Sequence, residues 1–180
     1  MNTRAVLYSL LFPFIVVTAA AQMDHGSHSE VGPTKAIAVL NPTKGSSVSG
    51  IVTFEKTDKG VLVKARVSGL TPGKHGFHIH EFGDCSADNG ISAGGHFNPG
   101  GMPHSGPMAG KRHVGDMGNL EADKDGNASL DYVDAMITLT GPHAVIGYGV
   151  IVHEKEDDLK SQPTGDAGGR LACGVIGVAR

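Results

Sequence analysis

From residue 34 onward, apolar and polar residues alternate over short runs, and glycine, proline, asparagine or aspartate separates one run from the next. Segments 35–40, 48–55, 61–67, 76–80, 128–133, 145–152 and 171–178 carry the period of two that sends successive side chains to opposite faces of a strand. Lys59-Gly60 and Asp125-Gly126 fall between runs and predict hairpin turns. No window of twelve residues sustains a helical stripe. Seven or eight strands at this spacing predict an antiparallel sandwich or barrel. Two stretches break the rhythm, the Gly/His/Pro-rich segment 81–115 and the shorter 154–170. Loops of that length inside a compact domain are functional or disordered. There is no internal repeat and no linker, so the 180 residues predict one domain.

Composition narrows the picture. The 27 glycines follow no three-residue period, which excludes collagen. With 5% aromatic residues and no Trp, the core must be built from small and branched aliphatics. The net charge is −3 and no basic stripe exists to neutralise phosphates, so nothing points to a nucleic-acid partner.

Residues 1–21 read as a cleaved secretory signal: Arg4 supplies the positive start, Val6 to Val17 the apolar stretch, and Ala19-Ala20-Ala21 the cleavage site. The competing reading is a membrane anchor, but the apolar run is interrupted by Pro13 and falls short of the ~20 residues a spanning helix needs. No membrane span is expected in the mature chain. Cleavage removes Arg4 alone among the charged residues, moving the charge from −3 to −4. An exported chain meets an oxidising compartment, periplasmic or extracellular, so Cys85 and Cys173 are read as one disulfide, with two buried thiols as the alternative. Segment 22–32 is polar and should form a flexible tail, leaving 33–180 as the domain.

The chemistry lies in ten histidines. His78 and His80 stand at i and i+2 near the end of a strand, on one face, so both imidazoles can reach one ion. His96, His104, His113 with Asp116, and His153 follow. Imidazole suits copper and zinc, and a carboxylate added to imidazoles suits zinc. Seven such ligands exceed one tetrahedral site and match two sites sharing a ligand. Spacing alone does not name the metals. His75 and His143 read as a hydrogen-bonded structural residue and a loop residue. His25 and His28 read as solvated tail residues, with copper capture as the sharper alternative.

The motifs GFHIHEFGD (76–84), GHFNP (95–99), RHVGDMGN (112–119), VHEK (152–155) and GRLACGVIG (169–177) resemble the copper,zinc superoxide dismutases, and the resemblance runs over about residues 34–180. It implies an eight-stranded antiparallel Greek-key barrel with two long functional loops. It implies copper on His78, His80, His96 and His153, and zinc on His96, His104, His113 and Asp116, one ion of each per subunit. Asp157 matches a carboxylate joining a copper ligand to a zinc ligand, and Arg170 the guanidinium beside the open copper position. Cys85 and Cys173 match the intramolecular bridge. The implied reaction turns superoxide into dioxygen and hydrogen peroxide, with His96 taking and returning a proton as copper cycles. The resemblance also implies a homodimer through Ile37, Val39, Phe82, Ile146, Val175 and Val178, with Gly83, Gly147 and Gly177 permitting close approach.

The match departs from the family in places. Cys85 lies five residues after His80, as in exported bacterial members, whereas the core motifs look eukaryotic. Segment 157–170 is shorter than the eukaryotic electrostatic loop and lacks its Glu-rich, Lys-containing middle, leaving Lys160 as the steering candidate ahead of Lys111. The rival class is a secreted copper- or zinc-sequestering protein without turnover. Loss of the copper set or of Arg170 would favour it, and all are present.

Overall fold

A computed structural model describes residues 32–180. The expected signal 1–21, and the tail 22–32 apart from Gly32, lie outside the described residues. Eight strands form: β1 (Lys35–Pro42), β2 (Ser49–Thr57), β3 (Gly60–Ser68), β4 (Gly73–His80), β5 (Asp116–Ala122), β6 (Ala128–Asp134), β7 (Gly149–His153) and β8 (Arg170–Val178). They close into a barrel in the order β1-β2-β3-β6-β5-β4-β7-β8, every neighbouring pair antiparallel. Among the described residues no helix is long and apolar enough to cross a membrane.

Alternation builds the barrel wall. In β3, Val61, Val63, Ala65 and Val67 point inward while Lys64, Arg66 and Ser68 face solvent. The same rule in β1 buries Ala36, Ala38 and Leu40. Phe54, Phe77, Ile79, Leu120 and Ile176 help fill the interior, which is mostly aliphatic, as the composition requires, with Phe54, Phe77 and Phe97 as its buried phenylalanines.

The strand without a sequence signal is β5. Its first three residues, Asp116, Met117 and Gly118, are all buried, so the alternation that betrays the other strands is hidden there. The expected strand 145–152 begins only at Gly149. Val145 is buried but belongs to the β6–β7 connection, where its N–H donates to the Thr138 carbonyl (3.0 Å) and Ile137 and Leu139 fold into the same core.

β4 positions the chemistry. From His75 to His80 every residue is buried, because both faces are covered. Phe77 and Ile79 enter the barrel core. The other face, carrying His78 and His80, lies under the long loops between β4 and β5 and between β7 and β8. The first loop is laced to β4: Phe97 N–H donates to the Ile79 carbonyl (2.8 Å), and Ile79 N–H to that of Gly115 (2.9 Å). A disulfide between Cys85 and Cys173 fastens that loop to β8, with Ala93 packed against Ile151 beside it.

Candidate metal centre

The seven sequence-predicted ligands come together as two groups that share His96: His78, His80, His96 and His153, and His96, His104, His113 and Asp116. The ligand atoms in each group lie within 4.8 Å of one another, and all seven residues are buried. His78 and His80 come from β4, His153 ends β7, Asp116 starts β5, and the other three come from the 81–115 loop.

Hydrogen bonds fix which nitrogen each ring presents. His80 Nδ1 donates to the Gly94 carbonyl (2.9 Å), which turns Nε2 toward His153 Nε2 (3.3 Å). His78 Nε2 donates to Asp157 Oδ2 (2.8 Å), which leaves Nδ1 as its free lone pair. His104 Nε2 donates to Asp157 Oδ1 (2.9 Å), so the one carboxylate ties a ring of each group. His96, His104 and His113 each turn Nδ1 toward Asp116 Oδ1, at 2.9, 2.9 and 3.2 Å. Asp116 Oδ2 is held by the N–H groups of His113 (2.9 Å) and Ser105 (3.1 Å). Outer partners of this kind set ring tautomer and orientation.

Burial shapes the electrostatics. It pushes His80 and His153 well below the usual imidazole range, helped by the neighbouring histidines. Burial also lowers His78, and takes His96 down to about 4. These rings therefore offer lone pairs at neutral pH. For Asp116 and Asp157, burial opposes ionisation, but hydrogen bonds from His104, His113 and His96 to the first, and from His104 and His78 to the second, hold both well below the usual carboxylate range. Burial likewise acts against a charge on His104, yet its bonds to the two carboxylates raise it to about 9.

Two nitrogens of these rings are left over. His78 Nδ1 and His96 Nε2 are buried and have no hydrogen-bond partner among the described residues. An orphaned buried polar atom costs about 1–3 kcal/mol, and a cation between the two would satisfy both. The donor sets fit copper and zinc: imidazoles alone in the first group, three imidazoles and a carboxylate in the second.

Arg170 stands beside the first group. Its two terminal nitrogens donate to the carbonyls of Gly90 and Gly94, each at 2.6 Å, and Gly94 is the acceptor that also orients His80. Burial lowers its pKa, but a guanidinium stays charged. A cavity of about 350 Å³ opens beside it, lined by Thr43, Lys44, Asn89 and Ile91. Lys160 is exposed on the second loop, where its backbone N–H donates to Asp158 Oδ1 (2.9 Å), and Lys111 is exposed on the first. His75 is buried between the carbonyls of His153 and Thr71, each at 2.9 Å from a ring nitrogen. His143 lies 3.2 Å from the Met136 carbonyl in the β6–β7 connection.

Sequence reading missed the residues that hold the loops in place. Arg112 and Asp134 form a buried pair (2.6 and 2.7 Å), and Arg112 also donates to the carbonyls of His113, Val114 and Asp116. Gln162 clasps the backbone of His104 through both amide atoms, at 2.8 and 2.9 Å. Asn119 does the same to Asp157, at 2.9 and 2.8 Å. Gly165 adopts φ +68°, and a Cβ there would sit on Asp157 Oδ1. Arg112 and Asn119 flank ligands within one motif, which is a faint signal; Gln162 has none.

Of the predicted contact residues, Val39, Phe82, Val175 and Val178 are exposed at 54, 57, 44 and 65%. Ile37 is partly buried, and Ile146 packs against the core. Gly83 is needed within the chain itself, since a Cβ there would strike the Gly147 backbone.

Comparison with known proteins bears on all of this. Residues 48–176 match the family model of the copper/zinc superoxide dismutases. The chain is 47% identical to an extracellular copper-zinc superoxide dismutase of Drosophila melanogaster, over 93% of this chain and 99% of that protein. The crystal structure of the clock protein EA4 is similar with a TM-score of 0.77 and 44% identity, covering 84% of this chain and 99% of that one.

Proposed function

The chain belongs to the copper/zinc superoxide dismutase family, and from that premise we propose how its own residues divide the work of superoxide disproportionation. His78 Nδ1, His80 Nε2, His96 Nε2 and His153 Nε2 would hold copper. The Nδ1 atoms of His96, His104 and His113, with Asp116 Oδ1, would hold zinc. Copper would supply a one-electron redox couple there, while zinc, which has no redox chemistry, would contribute charge and organisation. The observation that carries the assignment is the orphaned pair, His78 Nδ1 and His96 Nε2, on the side of the shared ring away from Asp116.

Peroxide formation consumes protons. His96 Nε2 is the buried site that accepts and returns one, and Asp116 holds the opposite nitrogen of the same ring in register (2.9 Å). Asp157 keeps His78 and His104 in fixed tautomers, so neither ring can turn its lone pair away. Arg170 provides the local positive charge for an anionic substrate. A chain of net charge −4 after loss of residues 1–21 gives the wrong average field, so a local focus is required.

The protein acts outside the cytoplasm. The apolar segment after Arg4, the Cys85–Cys173 disulfide and the extracellular relative support this reading. Val39, Phe82, Val175 and Val178 support a homodimer closed isologously through β1, β8 and the start of the first long loop. Sedimentation at micromolar concentration should show the dimer; monomer alone would remove it.

Metal analysis and a superoxide-decay assay on one purified sample test the whole reading. The expected result is one copper and one zinc per chain with copper-dependent decay. Both metals bound without decay would instead mark a metal-sequestering protein.

A further inference from the structure

The β5–β6 hairpin carries a pattern that the metal chemistry does not use. Asn127-Ala128-Ser129 places a hydroxyl two residues after an asparagine with no proline between, the acceptor pattern for N-linked glycosylation in secreted proteins. Asn41-Pro42-Thr43 has the same ends, but its central proline closes it. Asn2, Asn89, Asn98 and Asn119 have no hydroxyl residue two positions on.

We propose that Asn127 is an N-glycosylation site. The inference rests on the export reading and sharpens it, because it sends the chain through a eukaryotic secretory pathway rather than into a periplasm. The Asn127 carboxamide Nδ2 displaces a polyprenyl diphosphate from the anomeric carbon of the lipid-linked oligosaccharide. The N–C bond forms, the C–O bond to diphosphate breaks, the diphosphate leaves with the electron pair, and Nδ2 loses one proton to solvent.

The structure suits the modification in three ways. First, Asn127 holds the hairpin by its backbone: its N–H donates to Asp123 Oδ1 (2.9 Å) and its carbonyl accepts from Asp123 N–H (3.0 Å). The exposed side chain is not part of that turn. Second, Asn127 and Ser129 face outward while Ala128 between them is buried, and a depression of about 280 Å³ lined by Arg66, Ser68, Asn127 and Ser129 lies alongside. The first sugar has a surface of mixed polar and aliphatic groups to rest on, since Val67 and Ala128 also line it. Third, β5 runs from Asp116 at the metal centre to Ala122, which pairs with Ala128, so Asn127 lies at the opposite end of the barrel. β6 is also three strands from β1 and four from β8. A glycan there covers neither the metal centre nor the exposed apolar face.

The full chain expressed in secreting eukaryotic cells provides the test, with mass analysis of the peptide containing Asn127 before and after peptide:N-glycosidase. The expected result is protein in the medium bearing a glycan that the glycosidase removes, leaving aspartate at that position. Asn127→Gln and Ser129→Ala should each abolish the mass shift and Ser129→Thr should keep it, with superoxide decay per copper unchanged in all three. Ser129→Ala leaves the Asn127 turn intact, so it reports on the glycan even if Asn127→Gln misfolds. Secreted protein with a bare Asn127 would overturn the site alone. Protein retained in the cytosol with a bare Asn127 would overturn the export reading together with the site.

Discussion

In the group proposed for copper, three of the four imidazoles hang on strands: His78 and His80 on β4 and His153 at the end of β7. In the group proposed for zinc, only Asp116 belongs to a strand, and His104 and His113 come from the long first loop. The copper rings are placed by backbone that the barrel ladders fix in any case. The zinc rings depend on a network: Gln162 on His104, Asp157 bridging to His78, and Arg112 with Asp134 beneath His113. A rigid site is built from strands and a conditional one from loop contacts, and His96 joins the two. Copper geometry should therefore survive damage to the loop better than zinc geometry does.

The largest expected effect comes from the rigid side. His80→Ala or His153→Ala removes a proposed copper ligand without touching the barrel ladder. Copper and turnover should be lost, while zinc content and the circular dichroism of the barrel stay. Full copper-dependent turnover in either variant would show that the ligand assignment is wrong.

On the conditional side, Asp134→Ala leaves the Arg112 guanidinium buried without its carboxylate. Breaking a buried pair in this way costs about 3–5 kcal/mol. The loss should appear as a lowered thermal midpoint, accompanied by weaker zinc retention, since Arg112 also holds the carbonyls of His113 and Asp116. A midpoint within a degree or two of wild type would mean that the loop is held by other contacts. Asp157→Ala acts on both groups at once by freeing His78 and His104. The expected cost is about 10–100-fold in metal affinity, larger for zinc than for copper if the comparison holds. Competition with a chelator measures both, and an equal loss of the two metals would erase the distinction between strand-held and loop-held ligands.

The same division explains what could be read from the sequence. The copper side was legible because it follows a local rule, two histidines at i and i+2 on a strand whose other face, Phe77 and Ile79, is apolar. Most of the barrel was legible for the same reason. β5 was not, because burial of Asp116 within the proposed metal centre and of Gly118 at φ +77° erased its alternation. The clasp of Gln162 on His104 joins positions 58 residues apart, and the Arg112–Asp134 pair spans 22. No local period marks contacts made only when loops close over a sheet. The residues proposed for zinc were assigned through motif resemblance, not through spacing.

Arg170 sets a further contrast, between charge at the site and charge on the loop. Two unit charges about 5 Å apart interact by roughly 3 kcal/mol at an effective dielectric near 20. If about half survives desolvation in the step that captures the anion, the effect is on the order of tenfold in kcat/KM. Arg170→Ile should slow turnover by about that factor with both metals retained. A normal rate would leave Arg170 as a scaffold for the Gly90 and Gly94 carbonyls.

The smallest expected effect belongs to Lys160. Its ammonium is exposed on the second loop, and its backbone N–H is tied to Asp158, whose carboxylate lies on the same turn and offsets part of its field. Lys44, on the cavity beside Arg170, is offset more directly by an ion pair with Asp88 (3.0 Å). The role expected of Lys160 is therefore a long-range attraction on the approach of superoxide rather than a contact at the metal centre. Such a field fades over a Debye length, about 10 Å at 0.1 M salt and about 3 Å at 1 M. Lys160→Ala should lower kcat/KM only a few-fold at low salt, and the difference from wild type should vanish at high salt. Arg170→Ile should keep most of its deficit at both ionic strengths, because its half-buried charge is screened less. Measuring both variants across a salt series separates the roles: a Lys160→Ala deficit that persisted in 1 M salt would place that ammonium at the site itself rather than on the route to it.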